Sequence, residues 1–140
     1  LLTLRAYTSF FNITNLSDSD DTNTMISSLK SGNEEINIGH AGTAMRFLTS
    51  YFSVKENSEI VLTGSHRMKN RPIKILVDAL RDLGADIEYI EKEGFPPLKI
   101  SGKKLLKDSI EIDGNISSQY ISSLLLIKVV QAADMGLNPY

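Results

Sequence analysis

An α/β layer fold is predicted for this 140-residue chain by three observations. Short β-rich runs alternate with helical patterns, and glycine or proline punctuates most of the changeovers. Apolar residues make up 41% of the sequence, enough for one core, since a chain of this size buries roughly 68% of its unfolded surface.

Residues 1–7, L-L-T-L-R-A-Y, begin without Met and read as the last turns of a helix whose start is missing, so the chain is expected to be a piece of something longer. Residues 11–16 read as a strand. Asp18, Ser19 and Asp20 then offer N-caps for a helix through about Ser31, closed by Gly32. Residues 36–39 form a short predicted strand. Ala41, Ala44, Met45, Leu48, Tyr51 and Phe52 share one face of a helix, with Arg46 off that stripe. A strand follows over Glu59–Thr63, then a polar loop, then a helix with Pro72 as its first residue. In that helix Ile73, Leu76, Val77, Leu80 and Leu83 face the core and Gly84 ends it. Further strands are predicted over Asp86–Tyr89, Leu98–Ser101 and 109–113, separated by the Gly94, Pro96, Pro97 turn and the basic loop 102–107. The last helix, from Ser117 to about Ala133, is apolar nearly all round between Tyr120 and Val130, which predicts a central, deeply buried element. Strand, polar loop, helix, glycine and strand recur in that order around 12–38 and 60–89, in the manner of a duplication that keeps element order but not residue identity.

Charge and composition narrow the function. A formal charge of −2 argues against a nucleic-acid or anionic-membrane partner, since neither is drawn by long-range attraction to so balanced a chain. Without Cys there is no disulfide, thiolate metal ligand or cysteine nucleophile, and a cytoplasmic location is favoured. No apolar run approaches the roughly 18 residues of a membrane span. His40 and His66 are single histidines on polar loops with no second ligand at metal spacing, so no metal is expected.

Three polar helix starts carry the chemistry: 38–48 (I-G-H-A-G-T-A-M-R-F-L), 64–73 (G-S-H-R-M-K-N-R-P-I) and 114–120 (G-N-I-S-S-Q-Y). Unpaired backbone N–H groups and the positive end of the helix dipole make such starts anion sites, and three of them suit a substrate with several phosphates or carboxylates. Taken singly, each has a plainer reading. Gly39 and Gly42 can be turn glycines, Arg46 and Arg71 surface ion-pair partners, Ser117 and Ser118 helix caps, and Asp18, Asp20 and Asp21 capping carboxylates. Arg71 fits its plain reading least, because a structural cation just outside a helix N-terminus is repelled by it.

Five motifs in order resemble the 5-enolpyruvylshikimate-3-phosphate synthase family: D-S-D-D; G-H-A-G-T-A-M-R; L-T-G-S-H-R-M-K-N-R-P-I with L-V-D-A-L-R-D-L-G-A; G-F-P-P-L-K-I; and I-D-G-N-I-S-S-Q-Y-I-S-S-L-L-L. The resemblance covers about residues 1–127. It implies an α/β enolpyruvyl transferase-like fold, an inside-out α/β barrel of repeated βαβαββ units with helices on one side of the sheets, in which 1–140 is most of one domain and the partner domain is absent. The implied activity is cofactor-free transfer of the enolpyruvyl group of phosphoenolpyruvate to the 5-hydroxyl of shikimate-3-phosphate, with release of phosphate. By the same resemblance Gly42, Thr43 and Arg71 fall beside phosphoenolpyruvate, and Ser117, Ser118 and Gln119 contact shikimate-3-phosphate. Arg46 and Asp21 fall near the cleft, Arg46 as a substrate-binding and Asp21 as a catalytic candidate.

His40 stands where the family commonly has Asn, and Asn138, Pro139 and Tyr140 resemble a later motif but lie too close to Ser118 to carry its role. An S-K-S-x-S-N-R segment is expected ahead of Leu1. Two rivals remain open. One is an α/β module that binds a phosphorylated ligand without turnover; the other is a relative of the UDP-N-acetylglucosamine enolpyruvyl transferases, whose usual reactive cysteine this chain lacks.

Overall fold

The computed structural model describes residues 1–7, 12–107, 109–112 and 115–134. Four strands, β1 (Glu35–Asn37), β2 (Glu59–Thr63), β3 (Asp86–Tyr89) and β4 (Leu98–Ser101), form one mixed sheet in the order β1-β2-β4-β3. β1 runs parallel to β2, while β4 is antiparallel to both β2 and β3. The strands alternate: Ile36, Ile60, Leu62, Ile87, Leu98 and Ile100 are buried on one face, and Glu35, Asn37, Glu59 and Glu88 are exposed on the other. Only the apolar face needs a cover, and helices supply it.

Six helices accompany the sheet among the described residues: α1 (Leu2–Tyr7), α2 (Asp20–Lys30), α3 (Gly42–Val54), α4 (His66–Lys69), α5 (Lys74–Asp82) and α6 (Ser118–Asp134). Parallel pairing of β1 with β2 requires a crossover, which is α3. The chain then runs β2, α5, β3, β4, so one complete βαβαββ unit spans 35–101, in keeping with the expected repeat unit. On α5 the predicted face is the buried face, with Leu76, Val77 and Leu80 at 0% exposure. Ser19 is the N-cap of α2, its hydroxyl accepting from Thr22 N–H at 3.3 Å, and Asp20 and Asp21 in the first turn complement the helix dipole.

Several expectations need correction. Residues 12–16 form no strand, and Phe11 lies outside the described residues, so the strand opening the first copy of the proposed duplication is not seen among those described. Residues 109–112 are also irregular; Ile110 and Ile112 pack on the core without a strand partner, and Asp113 lies outside the described residues. Pro72 does not open α5. Ser65 caps α4 instead, so the chain turns through 70–73 and α5 begins at Lys74. The central helix is α3, not α6. On α6, Leu125 and Val129 are 61% and 51% exposed, whereas α3 buries Thr49, Ser50 and Ser53 along with its apolar stripe. Thr49 and Ser53 donate back to the carbonyls of Met45 and Ser50 at 2.7 Å, so these two hydroxyls enter the interior satisfied, while that of Ser50 is buried without a hydrogen-bond partner among the described residues.

Candidate functional site

Two turns leave the carboxyl ends of the parallel strands β1 and β2, the end of an α/β sheet where ligands are commonly bound. In the first turn Gly39 has φ +57°, a left-handed conformation suited to glycine, and its N–H donates to Asn37 Oδ1 at 2.9 Å. Ser65 of the second turn donates its N–H to the Gly39 carbonyl at 3.0 Å, and its Oγ lies 2.8 Å from His40 Nδ1. The same hydroxyl accepts from Met68 N–H at 3.3 Å. Nothing in the sequence reading marked Ser65; the usable signal was a serine three residues ahead of the last core residue of a short helical turn, Met68.

α3 starts from the first turn with neither a side-chain cap nor an acidic residue, so its leading N–H groups and positive dipole end are uncompensated by its own sequence. Glycine at 42 lets the Arg71 guanidinium approach closely: a Cβ at this position would lie 2.5 Å from Arg71 Nη1 and 3.5 Å from Arg46 Nη1. Arg71, in the turn between α4 and α5, therefore rests on the start of α3. Its expected place immediately before α5 is corrected accordingly. Both arginines and Gly42 line a small pocket with Met45, Met68, Pro72 and Ile73. Among the described residues neither arginine is paired with a carboxylate, which removes the ion-pair reading for them. Two guanidinium groups beside an uncapped helix start concentrate positive potential in a chain of net negative charge.

The start of α6 joins this cluster. Ser117 Oγ accepts from Gln119 N–H at 3.3 Å, and Ser117 and Ser118 are both exposed at the helix start. Gln119 reaches across to α3. Its Oε1 accepts from Arg46 Nη1 at 2.6 Å, and its Nε2 lies 3.4 Å from Thr43 Oγ1. Arg46 Nη1 also donates to the Gly42 carbonyl at 3.3 Å, and its guanidinium sits 5.3 Å from the centre of the Tyr120 ring. The segments around Gly42, Arg71 and Ser117 thus converge on one face, although 73 residues separate Arg46 from Gln119. Asp21 stands apart from the hydrogen-bonded cluster: exposed on the first turn of α2, it borders a groove of about 350 Å³ whose wall includes Thr43 and Phe47. Gly114 lies outside the described residues, as do Asn138, Pro139 and Tyr140. No group of His, Asp or Glu among the described residues is arranged to hold a metal ion, and no described helix is long and apolar enough to cross a membrane.

The sequence profile of the family described as EPSP synthase (3-phosphoshikimate 1-carboxyvinyltransferase) matches residues 2–136. A 3-phosphoshikimate 1-carboxyvinyltransferase of Bacteroides fragilis (strain YCH46) is 57% identical over 115 residues, covering 82% of this chain and 28% of its own length. The enzyme of the same name from Mannheimia haemolytica is 39% identical over 154 residues, covering 90% of this chain and 36% of its own. In fold, the chain superposes on EPSP synthase from Acinetobacter baumannii with a TM-score of 0.72 at 22% identity, over 90% of this chain and 36% of that one. The chain therefore spans about a third of the length of the relatives it matches. With the βαβαββ unit, the ordered motifs and the profile match in agreement, this chain belongs to the EPSP synthase family.

Proposed function

We propose that the protein containing this chain transfers the enolpyruvyl group of phosphoenolpyruvate to the 5-hydroxyl of shikimate-3-phosphate, releasing phosphate, and that residues 1–140 are most of one of its two domains. The observation that carries this reading is Gln119, seated between Arg46 and Thr43 beside the Arg71–Gly42 contact, which unites the segments matched to the two substrates. Two substrates with two phosphates and two carboxylates repel one another. Arginines and helix starts offset that repulsion and hold the hydroxyl against the phosphate-bearing enol carbon while the methylene carbon is protonated; departure of phosphate and loss of a proton from the new methyl group then restore the double bond in the transferred enol ether. In this reading Arg71, Gly42 and Thr43 take phosphoenolpyruvate, and Ser117, Ser118 and Gln119 take shikimate-3-phosphate. Arg46 fixes the carboxamide of Gln119 with its oxygen inward. Asp21 contributes a carboxylate from the groove wall, and the missing domain closes over the site, excludes water and supplies the remaining acid–base groups.

The test is steady-state phosphate release by the full-length protein, which is expected only when both substrates are present. Binding of both without release would favour the module that captures phosphorylated ligands. Arg71→Ala is expected to lower kcat/KM roughly 10- to 100-fold, the loss of a charge-assisted grip on an anion; near-normal kinetics would remove Arg71 from the site. The 140-residue chain alone should bind shikimate-3-phosphate with Kd on the order of 0.1–1 mM, about 4–5.5 kcal/mol, and show no turnover.

A further inference from the structure

Tyr120 touches both the Arg46 guanidinium and the turn that carries Arg71. It is 8% exposed, and its hydroxyl donates to the Pro72 carbonyl at 3.1 Å, across 48 residues of sequence. Pro72 directly follows Arg71, so this bond, made to the Pro72–Ile73 peptide, restrains the turn from which the Arg71 guanidinium extends toward Gly42. The face of the Tyr120 ring meets the Arg46 guanidinium at 5.3 Å, a distance at which cation and ring attract. Residues 70–73 need such a tie. They lie between two helices, and although the N–H groups of Asn70, Arg71 and Ile73 donate to the carbonyls of Arg67, Met68 and Gly94 at 3.3, 3.0 and 2.9 Å, the Pro72 carbonyl is left to Tyr120. Proline has no N–H of its own to anchor.

We propose that Tyr120 is a positioning residue that holds Arg71 at the start of α3: its hydroxyl tethers the Arg71–Pro72 segment to α6, and its ring keeps Arg46 in register with Gln119. The proposal rests on reading Arg71 as an anion grip. Because the tether runs to the arginine-bearing turn and not to Ser117 or Ser118, its loss should weaken one substrate and spare the other.

Tyr120→Phe keeps the ring and removes only the tether. In the full-length protein it is expected to raise KM for phosphoenolpyruvate roughly 3- to 10-fold, the factor for one lost neutral hydrogen bond, with KM for shikimate-3-phosphate and kcat within about twofold. In the background of Arg71→Ala the same substitution should change neither KM, since nothing remains to be positioned. Equal rises in both KM values with a lowered thermal midpoint would mark a general structural role and overturn the proposal, as would additive effects of the two substitutions. A parallel titration with inorganic phosphate, followed by NMR, separates this inference from the transferase reading. If the wild-type protein shows no turnover yet binds phosphate less tightly after Tyr120→Phe, the tether stands and the transferase reading falls. If phosphate affinity is the same in both proteins, the tether falls.

Discussion

At residue scale the position that most directly shapes the site is Gly42, because the space a side chain would occupy already holds the Arg71 guanidinium. The obstruction is the far end of a flexible side chain, so Gly42→Ala can be accommodated by displacing the arginine rather than the backbone. The expected result is a rise of about tenfold in KM for the anionic substrate at Arg71, about 1.4 kcal/mol, with the thermal midpoint of the protein nearly unchanged. Isothermal titration together with a melting curve checks both halves, and a large loss of stability with unchanged affinity would contradict the geometry. The residue types of this site were readable in the sequence, since glycine, threonine, arginine and the Ser117–Ser118–Gln119 run each announce a polar helix start. That the three starts share one face was expected from the multiply charged substrate they suit, but the contacts that join them were not readable. The Arg46–Gln119 bond spans 73 residues and depends on α6 lying along α3, which no local pattern encodes.

At element scale, α5 shows how fully a helix face is written in spacing: Ile73, Leu76, Val77, Leu80 and Leu83 are all buried against the sheet and α3. Leu80→Ala is expected to destabilise the fold by about 2–5 kcal/mol, from lost transfer energy and an unfilled cavity, read as a lower urea midpoint. Strands β2, β3 and β4 were likewise legible to the residue, because the β-branched, apolar run of β2 and the alternation of β3 and β4 match a sheet with one apolar and one polar face. The failures share a cause. Ile110 and Ile112 alternate as a strand should, yet a strand exists only with a neighbour to pair with, and residues 109–112 anchor on the core without one. Hydropathy alone also ranked α6 above α3, whereas small hydroxyl residues bonded back to their own helix are what let α3 occupy the centre.

For the whole molecule, titration at alkaline pH reports on burial. Burial raises the pKa of Tyr51, and it does the same for Tyr89, whose hydroxyl is buried without a hydrogen-bond partner among the described residues. A raised folded-state pKa means the unfolded chain loses these protons first. Their contribution is thus fully present below the ordinary tyrosine value of about 10 and is lost as pH rises through the folded values. Lys74 and Lys99, raised by hydrogen bonds to Asp78 and Glu59, act with the same sign. Thermal midpoints are expected to hold from pH 8 to about 10 and then to fall, with the fall reduced in the Tyr51→Phe, Tyr89→Phe double variant; an unchanged profile in that variant would show that the tyrosines do not drive it. The contact between Gly42 and Arg71 has another consequence, on the scale of descent. Two positions 29 residues apart in sequence share one volume, so neither drifts without consequence for the other: a methyl group at the first leaves the anion grip in place only with a slimmer cation at the second. Selection acts on the pair as a single locus, and a lineage that changes one is expected to carry the mark of that change at the other.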